Sequence, residues 1–190
     1  MTTRSTSRRT DPGRRDRIID ACLDVVAEFG VAGTSHRRVA AAAGVPLGSM
    51  TYHFSGMDDL LRAAFARFAG DVGGRVERSM AAAPDADAAE RALVDVITQG
   101  TLADQRELVL TLELYTLAAR ESAYRELTDA WMARSRAALE RHFAPAVAAQ
   151  LDALVEGLSI HRALVAPGAS EILDAGAVAD AVRRVVGRGA

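Results

Sequence analysis

The chain contains no lysine: its 23 basic residues are all arginine, and it has one cysteine, one tryptophan and an aromatic share of only 5%. A lone Cys22 excludes an intramolecular disulfide and a cysteine-based metal cluster. Its place on the apolar side of an early helical stretch predicts a buried, small hydrophobic role. No apolar run is long enough to span a bilayer, and the arginine-rich start is not followed by an apolar segment, so a cytoplasmic protein without membrane contact is expected. HExxH, CxxC, GxSxG and P-loop patterns are all missing, so no catalytic residue, metal or cofactor is expected. Runs of β-branched residues are few and the five prolines are scattered, so no sheet is expected either.

Alanine and leucine are abundant, and 49% of residues are hydrophobic, which favours an all-α fold. At 190 residues the chain can hold one or two domains with a substantial core. The net charge of −2 hides an asymmetry. Residues 1–55 carry eight arginines and five acids, whereas residues 56–190 carry fifteen arginines and twenty acids. A cationic first part suits a polyanion, because arginines displace condensed counterions from DNA.

Residues 1–13 are polar and arginine-rich, and are expected to form a flexible arm that either reaches DNA or is a solvated tail. Asp11 and Pro12 suit the start of a first helix, in which Ile18, Cys22, Val25, Val26 and Phe29 recur at helical spacing; Gly30 and Gly33 close it. From His36 to Phe54 the sequence HRRVAAAAGVPLGSMTYHF predicts two short helices around a tight turn. Thr34 or Ser35 caps the first, whose inner face is Val39, Ala40 and Ala43. Gly44 supplies a positive φ, and Pro46 opens a second helix that buries Met50 and Phe54. Such a unit is a helix-turn-helix, whose second helix enters the DNA major groove; an ordinary helical hairpin is the alternative.

Ser55 with Asp58 resembles a capping box for a fourth helix, which carries Leu60, Leu61, Phe65 and Phe68 toward Met80 and is weakened by Gly70, Gly73 and Gly74. Asp87 with Glu90, and Asp104 with Glu107, are expected to start two more. Leu108–Ala119 is apolar on nearly every face, as in a helix surrounded by others, except for a stripe of Glu113, Thr116 and Arg120. That stripe faces solvent or orients a ligand through Glu113. Ser122 begins a helix to about Ala144, and Pro145 begins another. There Val147, Leu151, Leu154, Leu158, His161 and Val165 form one seam beside a stripe of Ala153, Gly157, Ile160 and Leu164. Two such helices from each of two subunits make a four-helix dimer interface; packing within one chain is the alternative. Val178, Val182 and Val185 mark a last short helix, and His36 and His142 are expected on the surface.

The segment RRDRIIDACLDVVAEFGVAGTSHRRVAAAAGVPLGSMTYHFSGMDDLLRAAF resembles the N-terminal domain of the TetR family of bacterial transcriptional regulators. The features that carry the resemblance are the apolar first helix, the GVAGT approach, the AGVPLGS turn, the His-Phe ending and the Leu-Leu beyond it. It implies a homodimer with a three-helix DNA-binding domain at 14–56 and a larger helical effector-binding and dimerisation domain at 57–190. By position it implies that Leu47, Gly48 and Ser49 meet base edges, followed by Thr51, Tyr52 and His53, the last two reaching phosphates. Arg37 and the start of its helix, with Thr34, Ser35 and Arg38, lie beside the DNA backbone. Leu47 and Met57 stand where lysines are common in the family, so Arg37, Arg38 and the arm are expected to replace two cationic contacts.

The leading expectation is a repressor on a palindromic double-stranded operator, released by a small apolar or amphipathic effector. Candidate pocket residues are Glu113, Tyr115, Tyr124, Trp131, Met132 and His161. An effector-independent or architectural DNA-binding protein is the second reading. An all-helical enzyme using Glu113 and His161 as acid and base is the third.

Overall fold

The structure, a computed structural model, describes residues 12–100, 102, 104–165 and 174–187, and every element among them is helical. The arm expected over residues 1–13 therefore lies almost wholly outside the described residues. The described residues fall into two compact units that divide between Ala64 and Phe65, inside the fourth helix.

The first unit comprises α1 (Arg14–Gly33), α2 (His36–Ala42), α3 (Gly48–His53) and the opening turns of α4 (Met57–Ala82). Ile18, Ile19, Cys22, Val25 and Val26 recur every three or four residues on α1 and are buried, as an amphipathic helix requires. Gly30, at φ 70° and ψ 171°, bends the chain there, and the Thr34 hydroxyl donates to its carbonyl at 2.8 Å. That leaves Ser35 as the N-cap of α2: its Oγ accepts from the Arg38 N–H at 3.3 Å. At the other end Gly44 adopts φ 64°, the Gly44 N–H donates to the Ala41 carbonyl and the Val45 N–H to the Ala40 carbonyl. Both bonds of a Schellman motif are present, so the helix stops at a glycine because the stop needs a left-handed residue. Val39, Ala40, Met50 and Phe54 are buried between the elements of this unit, as their spacing predicts.

The cap of α4 differs from expectation. Asp59, not Asp58, accepts from the Ser55 N–H at 2.9 Å and hydroxyl at 3.2 Å, and this backbone hydrogen bond draws its carboxyl below the usual range. Asp58 instead pairs with Arg62 one turn on, at 3.2 Å.

The second unit holds the rest of α4, α5 (Ala86–Asp95) continuing into a π-helical turn at Val96–Gly100, α6 (Gln105–Ala118), α7 (Ser122–Leu139), α8 (Pro145–Leu164) and α9 (Ala175–Val186). Asp85, rather than Asp87, caps α5, while Asp104 caps α6 as predicted; each accepts a backbone N–H at 2.7 Å. Val76, Met80, Leu93, Ile97, Leu139, Phe143, Leu151, Val155, Val178 and Val182 form the core. Arg75 on α4 ties the π turn to α6, donating to the Gly100 carbonyl at 2.6 Å and bidentately to Glu107.

Three further expectations change. α7 ends at Leu139, and His142 beyond it is half-buried rather than a surface residue: its Nε2–H donates to the Met80 carbonyl at 2.8 Å. α8 is rotated from the expected seam, burying Ala148, Leu151, Val155 and Ser159 while His161 is exposed. The glycines of α4 do not break it, and Gly73 has a packing reason, since a Cβ there would stand 3.2 Å from the Trp131 ring.

Candidate nucleic-acid surface and ligand cavity

The α2–α3 surface is cationic because no acid occurs between Glu28 and Asp58 in the sequence. Arg37 is exposed and makes no ion pair among the described residues. Arg38 is held in place: it donates to the Gly33 carbonyl, and its guanidinium lies 4.4 Å from the centre of the Phe29 ring. Gly33 permits this, because a Cβ there would come within 2.8 Å of the Phe29 Cβ. Leu47 is 55% exposed and Tyr52 78%, large apolar surface that the core of this unit does not use. Gly48 and Thr51 are also exposed, and Thr51 Oγ1 donates to the Gly48 carbonyl at 3.2 Å. Tyr52 and His53 meet edge-to-face with centroids 4.9 Å apart. Ser49 departs from expectation. At 9% exposure it shares the inward side of α3 with Met50, so it is not presented to base edges in this structure. The hydroxyls of Thr34 and Ser35 are both engaged within the chain, and His36 is half-buried, with its Nε2 buried and without a hydrogen-bond partner among the described residues.

The second unit contains a cavity with about 40 Å³ open to the centres of water molecules, room for three or four waters at about 10–15 Å³ each. Of the six candidate pocket residues, Trp131 and Met132 line it. Tyr115 stacks behind the indole at 6.1 Å and 24° between planes, and Phe68 meets that indole edge-on at 6.2 Å. The other three candidates lie away from this cavity. Tyr124 is a core residue set edge-on against Phe65, Glu113 does not line the cavity, and His161 faces solvent.

Five polar wall residues were missed: Thr111, Ser135, Asp152, Glu156 and Ser159. The last three recur at i, i+4 and i+7 in the otherwise apolar LDALVEGLSI of α8, a stripe legible in the sequence. Burial pushes the Asp152 carboxyl up, against hydrogen bonding from Ser135 and the charge of Arg136. Burial likewise raises Glu156, with the charge of Asp152 adding to it. The Tyr115 hydroxyl faces Glu156 without reaching full hydrogen-bond geometry, and burial beside that carboxylate raises its pKa. Thr111 and Ser159 are each 1% exposed, and their hydroxyls have no hydrogen-bond partner among the described residues.

Residues 18–64 match the profile of the bacterial regulatory proteins of the tetR family. Over 160 residues, 80% of this chain and 82% of its relative, the sequence is 30% identical to the HTH-type transcriptional regulator BetI of Burkholderia thailandensis. The chain belongs to the TetR family. Among solved TetR-like structures, SCO7518 of Streptomyces coelicolor A3(2) is 51% identical and superposes with a TM-score of 0.84, covering 92% of this chain and 99% of its own. The multidrug binding protein EbrR in complex with imidazole is 35% identical with a TM-score of 0.76, covering 98% and 97%; EbrR is also known with ethidium, proflavin and malachite green. As a TetR-family member the protein is a DNA-binding transcriptional regulator and not an enzyme, which removes the acid-base role considered for Glu113 and His161. No helix among the described residues is long and apolar enough to cross a membrane.

Proposed function

We propose that the protein is a homodimeric repressor that holds a palindromic double-stranded operator and is released when a small apolar or amphipathic effector enters the cavity beside Trp131. The observation that carries this reading is the coexistence, in one chain, of an acid-free helix-turn-helix surface and, in a separate unit, a cavity lined by Trp131 and apolar side chains. The relative EbrR, which binds small aromatic molecules, supports it. In this scheme Leu47, Gly48 and Thr51 face the bases, Tyr52, His53 and Arg37 the phosphates, and Arg38 with the residue 1–13 arm adds charge. Two copies of α3 must reach half-sites about 34 Å apart. An effector that binds better to a dimer with another spacing therefore weakens operator binding by its own differential affinity.

Support for the dimer comes from α8. A glycine in a helix costs about 1 kcal/mol relative to alanine, yet a Cβ on Gly157 would meet nothing within 4 Å among the described residues. Leu164, on the same stripe, is 61% exposed. A second copy of α8 lying on this stripe gives both residues a purpose. Sedimentation of the full chain should give a dimer, and Gly157→Leu should shift it toward monomer.

The release is tested by selecting bound genomic fragments, measuring operator affinity by fluorescence anisotropy, and repeating the titration across a small-molecule library. Expected is a palindromic site and at least one compound that both raises the melting temperature and weakens operator binding. A library without effect on either would favour the effector-independent regulator.

A further inference from the structure

We infer that the cavity selects organic cations, holding an amine or quaternary ammonium head between the Asp152 and Glu156 carboxylates with the apolar body against Trp131. This deepens the effector reading of the same cavity and rests on it. Asp152 and Glu156 stand one turn apart on α8, so both project from one face, and both line the cavity beside Val72, Val155 and Trp131. Among the described residues, no arginine or histidine lines it. The charges that reach the pair come from Arg136, which acts on Asp152 while its Nε–H donates to the Met132 carbonyl at 3.2 Å, and from the two carboxylates themselves. Ser135 and Tyr115 approach one carboxyl each, which leaves two like charges in a partly dry wall without a full complement of partners.

A second, independent sign of a polar occupant lies in the same cavity wall, at Ser159 on the α8 stripe and at Thr111 on α6. The Thr111 and Ser159 hydroxyls are almost fully buried at the cavity, and neither has a hydrogen-bond partner among the described residues. Buried hydroxyls are rarely left so, and water or a ligand atom must serve them. A neutral or anionic occupant would leave the carboxylates desolvated and uncompensated, whereas a cation supplies what both lack. The Trp131 ring lining the cavity adds cation–π attraction, and Met132, with three flexible bonds, can move aside for a body larger than the present space. An acidic pair placed in an apolar wall weakens the empty protein, so its presence answers to a ligand rather than to the fold.

Trp131 is the one tryptophan of the chain, so its fluorescence reports the cavity directly. The full-length protein is titrated with phenyltrimethylammonium and with tert-butylbenzene, its uncharged carbon counterpart. The cation is expected to bind at least about tenfold tighter, a difference of about 1.4 kcal/mol. Asp152→Asn and Glu156→Gln should each weaken the cation by about fivefold or more while leaving tert-butylbenzene unchanged, and the double variant should erase the preference. Circular dichroism checks that the variants fold, and these isosteric changes remove charge without volume. In the wild type the preference should fall as pH drops from about 7 to about 5 and the carboxylates gain protons, a slope the double variant lacks. Equal binding of the two probes, no binding of the cation at millimolar concentration, or a preference that survives in the double variant would overturn the assignment. Operator release by tert-butylbenzene alone would overturn the charge selection and keep the effector reading. Tight cation binding without change in operator affinity would do the reverse.

Discussion

Replacing Gly44 by alanine isolates a backbone cost inside the DNA-reading unit. The residue sits at φ 64°, and a Cβ built on it meets no atom within 4 Å, so sterics with the surroundings contribute nothing. What remains is the left-handed conformation itself, which costs an L-residue with a Cβ about 1–2 kcal/mol. Two responses are open to the variant. It keeps the turn and loses that stability, or it relaxes the turn and gives up the Val45-to-Ala40 and Gly44-to-Ala41 bonds that set α3 against α2. Asparagine tolerates this region, so Gly44→Asn should recover most of the loss. Gly33 is the contrast: its φ is not left-handed, and its constraint is the Phe29 Cβ at 2.8 Å, so alanine there should destabilise and asparagine should not rescue. Urea unfolding followed by circular dichroism measures both series, with operator anisotropy to detect a displaced α3. A Gly44→Ala change within about 0.5 kcal/mol of wild type, or an asparagine no better than alanine, would refute the reasoning.

Arg37→Gln should weaken operator binding by a similar factor on every sequence and reduce the slope of log affinity against log salt by about one, which a salt titration reads directly. Glu107→Ala should lower stability by about 1.5–3 kcal/mol, because Arg75 loses its bidentate partner while still half-buried; a urea midpoint unchanged from wild type would contradict this. Asp104→Ala removes the N-cap of α6 and should cost about 1 kcal/mol in the same assay. Glu156 has a folded pKa above its unfolded value, so ionisation opposes folding and stability returns as pH falls through the folded pKa. Without ligand, Glu156→Gln should therefore be more stable than wild type near pH ~7, by a margin that shrinks toward pH ~5.

Features set by a few neighbouring residues were legible in the sequence, and features set by how one helix rolls against another were not. The buried stripe of α1, the glycine stop after α2 and the Asp104 cap depend on local geometry and follow from spacing alone. Asp85 and Asp87 both offer a capping carboxylate within three residues, and only the folded chain chooses the first. In α8 a rotation of about one position moves the buried face to Ala148, Leu151, Val155 and Ser159, which sends His161 outward and brings Asp152 and Glu156 to the cavity. Trp131 and Met132 could be found because large side chains on a half-apolar helix have few places to go. Tyr124 met the same description and became core. Ser49 follows the family position of a base-contacting residue, yet the short α3 turns it inward with Met50.

Cys22 has no exposed surface, and burial pushes its thiol up to about 12, so at neutral pH it is neither accessible nor a thiolate. With no lysine in the chain, thiol-directed and amine-directed reagents find almost nothing to modify in the folded protein. Leu47→Cys would then be a unique conjugation handle without any prior removal of native cysteine. A spin label or dye at that position on each of two copies would turn the separation of the recognition helices into a distance measured in solution.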